Sequence, residues 1–246
     1  MAHVWIGTSG WSYKHWEKGH FYPADLAPEE FLPFFTRNFQ TVEINYSYYQ
    51  LPPRKTFAAW KRKVPSGFLF AVKASRYITH MKKLKDPEEP LQRLMHNAGG
   101  LGKTMGPVLF QFPRQWQLNL SRLDGFMQAL RAHPKRRYAF EFRHASWLTD
   151  SVYSCLHDHN AALCLPVGWG IPLRIEVTAD WTYVRFHGGE HSHFFEDDEL
   201  QPWAKRLRAW HADGIDSYSY FNNDTLWHGR PAAIDNARTL RAMVDR

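Results

Sequence analysis

The stretch TYVRFHG at residues 182–188 contains the pattern that decides the fold of this chain: a short run of β-branched and aromatic residues that leads into polar side chains. Several runs of this kind are nearly continuous in apolar residues, as strands of a parallel sheet buried on both faces are. The other seven are HVWIG at 3–7, TVEIN at 41–45, FLFAVKA at 68–74, PVLFQFP at 107–113, YAFEFR at 138–143, ALCLP at 162–166 and DSYSYFNND at 216–224. The sequence therefore predicts eight strands.

Helical patterns separate most of these strands. The pattern at 28–39 begins with Pro and two Glu residues, which suits the amino terminus of a helix, and Pro33 is expected to shorten or bend it. Further helices are predicted at 56–64, 87–102, 121–133 with a cap at Ser121, 149–160, 197–214 and 231–246. The slot between Pro166 and Asp180 is short and contains Gly and Pro, so we expect its helix to be short or missing.

The alternation of strands and helices indicates parallel strands joined by crossover helices. Eight strand–helix pairs close into a (β/α)8 TIM barrel more naturally than they form an open sheet. The length of 246 residues fits one barrel, which typically has about 250 residues. We therefore predict a single α/β domain over residues 1–246. The alternative is a doubly wound sheet, but GTSGW at 7–11, after the first strand, carries neither a GxGxxG nor a Walker pattern.

The chain is basic, with 31 Lys and Arg against 24 Asp and Glu and a formal net charge of +7. An anionic partner would account for this charge, and so would a solvated basic surface, because the basic residues are scattered. Cys155 and Cys164 lie in apolar segments without metal-ligand spacing, so we expect free thiols. No signal-peptide pattern and no apolar stretch of membrane-spanning length is present, which predicts a cytoplasmic protein without membrane contact.

Polar side chains gather just after the predicted strands, where TIM barrels carry their functional groups. Glu43 and Glu141 are predicted to be an acid/base pair, and His187 is a third candidate for catalysis. Around them, cationic, amide and aromatic side chains are candidates for binding a ligand. These candidates are Trp11, Asn45, Lys73, Arg76, Gln111, Arg143, Asn222, Asn223 and Asp224.

These assignments have structural alternatives. The two glutamates could instead form a buried ion network with Lys73 and Arg143 that ties the barrel together. His187 could equally be a core histidine bonded to the backbone. A metal site would need convergent carboxylates and histidines, and the positive charges of Lys73 and Arg143 oppose one. We therefore predict neither a metal nor a cofactor.

Aromatic residues are numerous in the predicted loops between strands and helices. They could line a cleft and stack on a sugar or a base, or they could pack as ordinary loop residues. They are Trp11, Tyr13, Trp16, Tyr46, Tyr48, Tyr49, Trp147 and Trp169.

Seven stretches of the chain closely resemble the YecE-like family, a domain of unknown function (DUF72). They begin with IGTSGWSYKHWEKGHFYP at 6–23 and FQTVEINYSYYQLPP at 39–53 and continue at 68–80, 101–113, 140–147, 177–188 and 218–240. The resemblance implies a TIM barrel and no particular reaction. It also implies a set of shared polar positions, which includes Arg185 and adds His80 to the ligand-binding candidates.

One departure from the family pattern bears on metal binding. After the sixth strand many relatives resemble a Val-Asp-Ser/Thr-Pro pattern, whereas this chain reads LCLPVGWGIP at 163–172. An acidic ligand from that strand is therefore absent or displaced, which argues further against a metal.

Three functions are compatible with these residues. The first is binding or transformation of a small anionic ligand, phosphorylated or carboxylated, held by Lys73, Arg76 and Arg143. The second is nucleic-acid binding or phosphodiester processing, because the net charge is +7 and the predicted loops are rich in aromatic residues. The family resemblance adds a fold analogy to this function, since the family's shape looks like that of endonuclease IV barrels. The third is a noncatalytic partner-binding barrel, whose mouth would be closed by packed Trp side chains. The sequence leaves open the reaction, whether the protein is an enzyme, and its oligomeric state.

Overall fold

Eight parallel strands close into a barrel in the computed structural model of this protein, which describes residues 2–168 and 170–246. Each strand pairs with the next one in sequence, and the last pairs with the first. The strands are β1 (Val4–Ser9), β2 (Thr41–Ile44), β3 (Leu69–Lys73), β4 (Met105–Gln111), β5 (Tyr138–Glu141), β6 (Ala162–Val167), β7 (Trp181–Phe186) and β8 (Asp216–Phe221). The predicted single-domain (β/α)8 barrel is confirmed, and the doubly wound sheet is excluded.

Helices connect most of the strands. They are α1 (Phe31–Thr36), α2 (Tyr46–Tyr49), α3 (Arg54–Arg62), α4 (Glu88–Ala98), α5 (Leu120–Leu130), α6 (Asp150–His157), α7 (Asp197–Ala212) and α8 (Ala232–Val244). A π-helical turn, Tyr77–Met81, precedes α4, and a hairpin of β9 (Leu226–Trp227) and β10 (Arg230–Pro231) precedes α8. Between β6 and β7 no helix forms in the described residues 168 and 170–180, so the helix expected to be short or missing in this slot is absent from them. Trp169, one of the predicted loop aromatics, lies outside the described residues.

Local chemistry sets the helix ends. Pro33 lies inside α1, which spans only six residues, in agreement with the expected shortening at this proline. The predicted cap at Ser121 is wrong. Helix α5 begins one residue earlier, because the side chain of Asn119 accepts a hydrogen bond of 3.0 Å from the backbone N–H of Arg122.

Alternate side chains of each strand face the inside of the barrel, because successive residues of a strand point to opposite faces. The inward side chains near the starts and middles of β7 and β8 form an aromatic cluster of Trp181, Tyr183, Tyr218 and Tyr220. Phe186, at the end of β7, faces outwards, and the centre of its ring lies 5.5 Å from that of Phe195. Within the described residues, no helix is both long and apolar enough to cross a membrane.

The loops after the first and last strands are tied together where β8 meets β1. Asp224, after β8, accepts a hydrogen bond of 2.9 Å from Nε1 of Trp16, and its Oδ1 lies 2.8 Å from Nε2 of His15. Nδ1 of His20 also lies 2.6 Å from the carbonyl oxygen of Gly229. These contacts join residues that are more than 200 positions apart in the chain.

Candidate functional site

The centre of the barrel holds one buried arginine between two buried glutamates. Arg185 of β7 donates from Nη2 to Oε1 of Glu43 at 2.8 Å and from Nε to Oε2 of Glu43 at 3.0 Å. Its third nitrogen, Nη1, donates to Oε2 of Glu141 at 2.7 Å. All three side chains are fully buried. The planar guanidinium therefore joins β2, β5 and β7 through two carboxylates, which is a geometry that suits arginine and not lysine.

The remaining positions on the two glutamates are also occupied. Glu43 accepts hydrogen bonds of 2.7 Å from Oγ of Ser9 and from the hydroxyl of Tyr183. Glu141 accepts one of 2.6 Å from Nε of Arg143. Burial alone would raise the pKa of Glu141, but Arg143 and Arg185 hold it well below its usual range. The two glutamates therefore form a buried ion network, but its cations are Arg185 and Arg143, and the Lys73 of the expected network is not among them in the described residues. The predicted acid/base roles of the glutamates stay predictions.

His187 extends the network toward the mouth. Its Nε2 lies 3.7 Å from Oε1 of Glu141 and 3.5 Å from Nη2 of Arg143, and Nδ2 of Asn222 lies 3.2 Å from its Nδ1. Burial lowers the pKa of His187 to about 3, so the imidazole is neutral at neutral pH. It is held by side chains and not by the backbone bond that the core alternative expected. A catalytic role for His187 stays a prediction.

Lys73, at the end of β3, is also buried, but no described residue forms an ion pair with it. Its side chain is only 8% exposed, and its Nζ lies 4.3 Å from the centre of the Tyr48 ring. Within residues 2–168 and 170–246, no carboxylate lies within 4.0 Å of this nitrogen. Burial and the charge of Arg185 lower the pKa of Lys73 to about 7. Unlike the arginine, this amine is both charged and neutral in comparable amounts near neutral pH.

His80 lies beside this lysine. Its Nε2 is 3.1 Å from the hydroxyl of Tyr48, and its Nδ1 is 2.9 Å from Oγ1 of Thr79. Burial and the charge of Lys73 lower the pKa of His80 to about 4. The imidazole is therefore neutral at neutral pH and fixed in orientation by two hydroxyl groups.

A cavity of about 940 Å³ opens above these groups at the carboxyl ends of the strands. This volume lies in the range of small-molecule sites, roughly 300–1,000 Å³. The cavity is lined by eight of the predicted ligand-binding residues: Trp11, Asn45, Lys73, His80, Gln111, Arg143, Asn222 and Asp224. Among the described residues the mouth is open, whereas the partner-binding alternative expected packed Trp side chains to close it.

Two of the predicted ligand-binding residues do not line this cavity. Asn223 is buried on the other side of its strand, where Nδ2 donates 2.8 Å hydrogen bonds to Oδ1 of Asn236 and to the carbonyl oxygen of His193. This follows from the two-residue period, because its neighbour Asn222 faces inwards. Arg76 is exposed beyond the end of β3, and its charge is felt at His80.

Two residues that the site uses were not among the site candidates from the sequence. Arg185 and Tyr183 lie within β7, upstream of its carboxyl end, and Arg185 was implied only as a shared polar position of the family. The signal for Arg185 was its spacing, because residues two apart share a face and Arg185 therefore faces inwards with His187. Among the residues described, no three His, Cys, Asp or Glu side chains are grouped as a metal site would require.

Eight parallel strands with a cavity at their carboxyl ends define a TIM-barrel protein. More particularly, the chain belongs to the family described as a protein of unknown function, DUF72, which matches residues 5–246. The UPF0759 protein YunF of Bacillus subtilis (strain 168) is 23% identical over 280 residues, which cover 98% of this chain and 95% of YunF.

Two solved DUF72 structures have the same fold. A family protein from Thermotoga maritima is 28% identical, with a TM-score of 0.78 over 99% of this chain and 100% of that one. Another from Enterococcus faecalis V583 is 17% identical, with a TM-score of 0.80 over 99% of this chain and 96% of that one. The family resemblance of the sequence is thereby confirmed.

Proposed function

We propose that this protein binds a small carboxylated or phosphorylated anion in the cavity at the carboxyl ends of the strands. The observation that supports this most is the unpaired charge of Lys73. Arg143 and Arg185 carry two positive charges against the two negative charges of Glu43 and Glu141, so this group is neutral as a whole. Protonated Lys73 adds a positive charge that no carboxylate within ion-pairing distance in the described chain balances.

Arg143 supplies a second contact for an anion. Only its Nε is bonded to a carboxylate, that of Glu141, and its side chain is 19% exposed toward the cavity. A guanidinium can hold a carboxylate or a phosphate with its terminal nitrogens while Nε remains engaged. Amide groups of Asn45 and Gln111 and the rings of Trp11 and Tyr48 line the rest of the cavity and suit a ligand with polar and apolar parts.

Calorimetric titration with lactate and with glycerol 3-phosphate tests this function. Both are small anions, one carboxylated and one phosphorylated, and neither has a ketone or aldehyde group. Binding is expected for at least one of them, and Lys73→Met should weaken it by roughly tenfold or more, since a charged contact is lost. The matched control is Lys205→Met, which removes an exposed lysine of α7 and should leave the affinity unchanged. Absence of binding by both anions, or equal affinity of the Lys73 variant, would contradict the proposal.

A second candidate function is binding of single-stranded nucleic acid across the mouth. It is supported by Tyr46 and Tyr49, which are 55% and 72% exposed and also line the cavity, and by the net charge of +7. Titration of labelled DNA and RNA at rising salt tests it, because binding through phosphates weakens steeply with salt. Tyr49→Ala should weaken such binding, and absence of binding at low salt would exclude this function.

A further inference from the structure

We propose that Lys73 forms an imine with a carbonyl carbon of the bound anion, so that the ligands of this cavity are 2-oxo acids or sugar phosphates with a free carbonyl group. This inference rests on the proposed anion-binding function and adds to it a class of substrate and a covalent step. It makes Lys73 a catalytic residue and leaves Arg143 to hold the acid group of the ligand.

The position of Lys73 suits a nucleophile. It is the last residue of β3, and its backbone is fixed because its carbonyl oxygen accepts a hydrogen bond of 2.6 Å from Oγ of Ser47. Its side chain lines the cavity, and its Nζ makes no hydrogen bond to any described residue. This nitrogen lies over the face of the Tyr48 ring. The nitrogen lone pair is therefore available to a ligand, and the strand keeps it in place.

The surroundings also keep part of this lysine in the reactive form. A lysine attacks a carbonyl only as the neutral amine, and proteins obtain that form by burial or by placing another cation nearby. Both conditions hold here, because burial and Arg185 lower the pKa of Lys73 to about 7. Among the lysines in the described part of the chain, Lys73 alone is buried. Selective reaction at this residue follows.

The covalent step balances without a redox reagent. The neutral amine of Lys73 adds to the carbonyl carbon, and one of its protons passes to the carbonyl oxygen, which gives a carbinolamine. The carbon–oxygen bond then breaks, and the oxygen takes one more proton from the solvent and leaves as water. The nitrogen keeps its second proton, so the product is a positively charged iminium. This charge stands where the ammonium stood and remains close to the anionic group of the ligand.

Reductive trapping tests the inference. The native protein is incubated separately with pyruvate, glyoxylate and dihydroxyacetone phosphate, treated with sodium borohydride, and analysed by intact mass spectrometry and peptide mapping. At least one probe is expected to give a single adduct on Lys73, and trapping should slow as the pH falls below about 7 and the amine is protonated. Lys205→Met, the matched control, should be trapped as the native protein is.

The variants separate the two proposals. Lys73→Arg keeps a positive charge but cannot form an imine, so it should retain measurable binding of lactate or glycerol 3-phosphate and give no adduct; circular dichroism checks that it folds. If the native protein binds these anions but no probe yields an adduct on Lys73, the imine is excluded and the binding function stands. If neither binding nor an adduct is found, both are excluded. Adducts spread evenly over the exposed lysines would also overturn the inference.

Discussion

The centre of the barrel and the end of β3 each hold a buried cation, and the surroundings of the two cations are opposite. At the centre, Arg185 of β7 uses all three guanidinium nitrogens on Glu43 of β2 and Glu141 of β5. At the end of β3, Lys73 lies almost as deeply buried, but its Nζ faces the ring of Tyr48 and pairs with no carboxylate of the described residues. This difference shows that the burial of a charged side chain does not by itself identify a functional residue. A buried cation whose donors are satisfied belongs to the architecture, whereas one whose donor faces a cavity is available for chemistry.

The chemistry of the two side chains explains why each stands where it does. A guanidinium is planar, stays charged at all ordinary pH values, and can bond two carboxylates in one plane. An ammonium is a compact charge that loses its proton readily when it is buried. The arginine therefore remains ionised as the pH changes, and the lysine can change its charge near neutral pH.

Removal of the arginine should have the largest effect. Arg185→Met leaves two buried carboxylates without their shared cation, so the free energy of unfolding should fall by about 3–5 kcal/mol. Urea denaturation measures this loss. Arg131→Met, which changes an exposed arginine, is the control and should cost little. A loss below about 1 kcal/mol for the Arg185 variant would show that the network is not a main support of the barrel.

Replacement of the lysine should have an effect of the opposite sign on stability. Between the folded pKa of about 7 and the ordinary value of 10.5, the unfolded chain holds a proton on Lys73 that the folded protein lacks. The stability of the native protein therefore rises with pH in this window, by up to about 1.4 kcal/mol per pH unit. Lys73→Met removes this dependence, so its stability relative to the native protein should be greatest at and below pH 7.

Urea denaturation of the two proteins at several pH values from about 7 to 10 checks this result. The comparison uses the difference between them, because other lysines and tyrosines titrate in the same range and cancel. A constant difference across the window would mean that Lys73 keeps its ordinary pKa when folded, and the contrast with Arg185 would then lose its basis.

A single hydroxyl should give the smallest of these effects. Tyr183→Phe removes the hydrogen bond to Glu43 and should lower the free energy of unfolding by about 1.5–3 kcal/mol, as expected for a bond to a charged group. The chain offers a matched control in Tyr153, whose hydroxyl is buried without a hydrogen-bond partner in the described residues. Tyr153→Phe should leave stability unchanged or raise it. Equal losses in the two variants would show that the Glu43 contact adds nothing specific.

The barrel could be predicted from the sequence because its strands are short, apolar and regularly separated by helical patterns. All eight predicted runs contain an observed strand or most of one, and the weak slot after β6 proved to lack its helix in the described residues. The amino terminus of α5 was predicted less well. Ser121 and Asn119 are both good capping residues, and only the backbone geometry decides which of them caps the helix.

The cavity was located by a rule about strand ends, and that rule has a physical limit. It finds residues such as Lys73 and Gln111, which close their strands, but it overlooks Arg185 inside β7 and includes Asn223, whose side chain faces the other way. The two-residue period of a strand would have corrected both. Which cation pairs with the two glutamates depends on distances between side chains across the barrel. No local pattern in the sequence contains these distances.

The joint between β8 and β1 has a consequence for the order in which the molecule can assemble. Asp224 contacts His15 and Trp16 at sequence separations of 208 or more residues, which are close to the largest that the chain allows. Such contacts raise the contact order of the protein, and proteins of high contact order fold slowly. A growing polypeptide that lacks β8 also lacks Asn222, one wall of the cavity. We therefore expect the barrel to close late, so that β1 and β7 spend part of synthesis without their neighbour β8. Aggregation of truncated chains would be the visible sign of that interval.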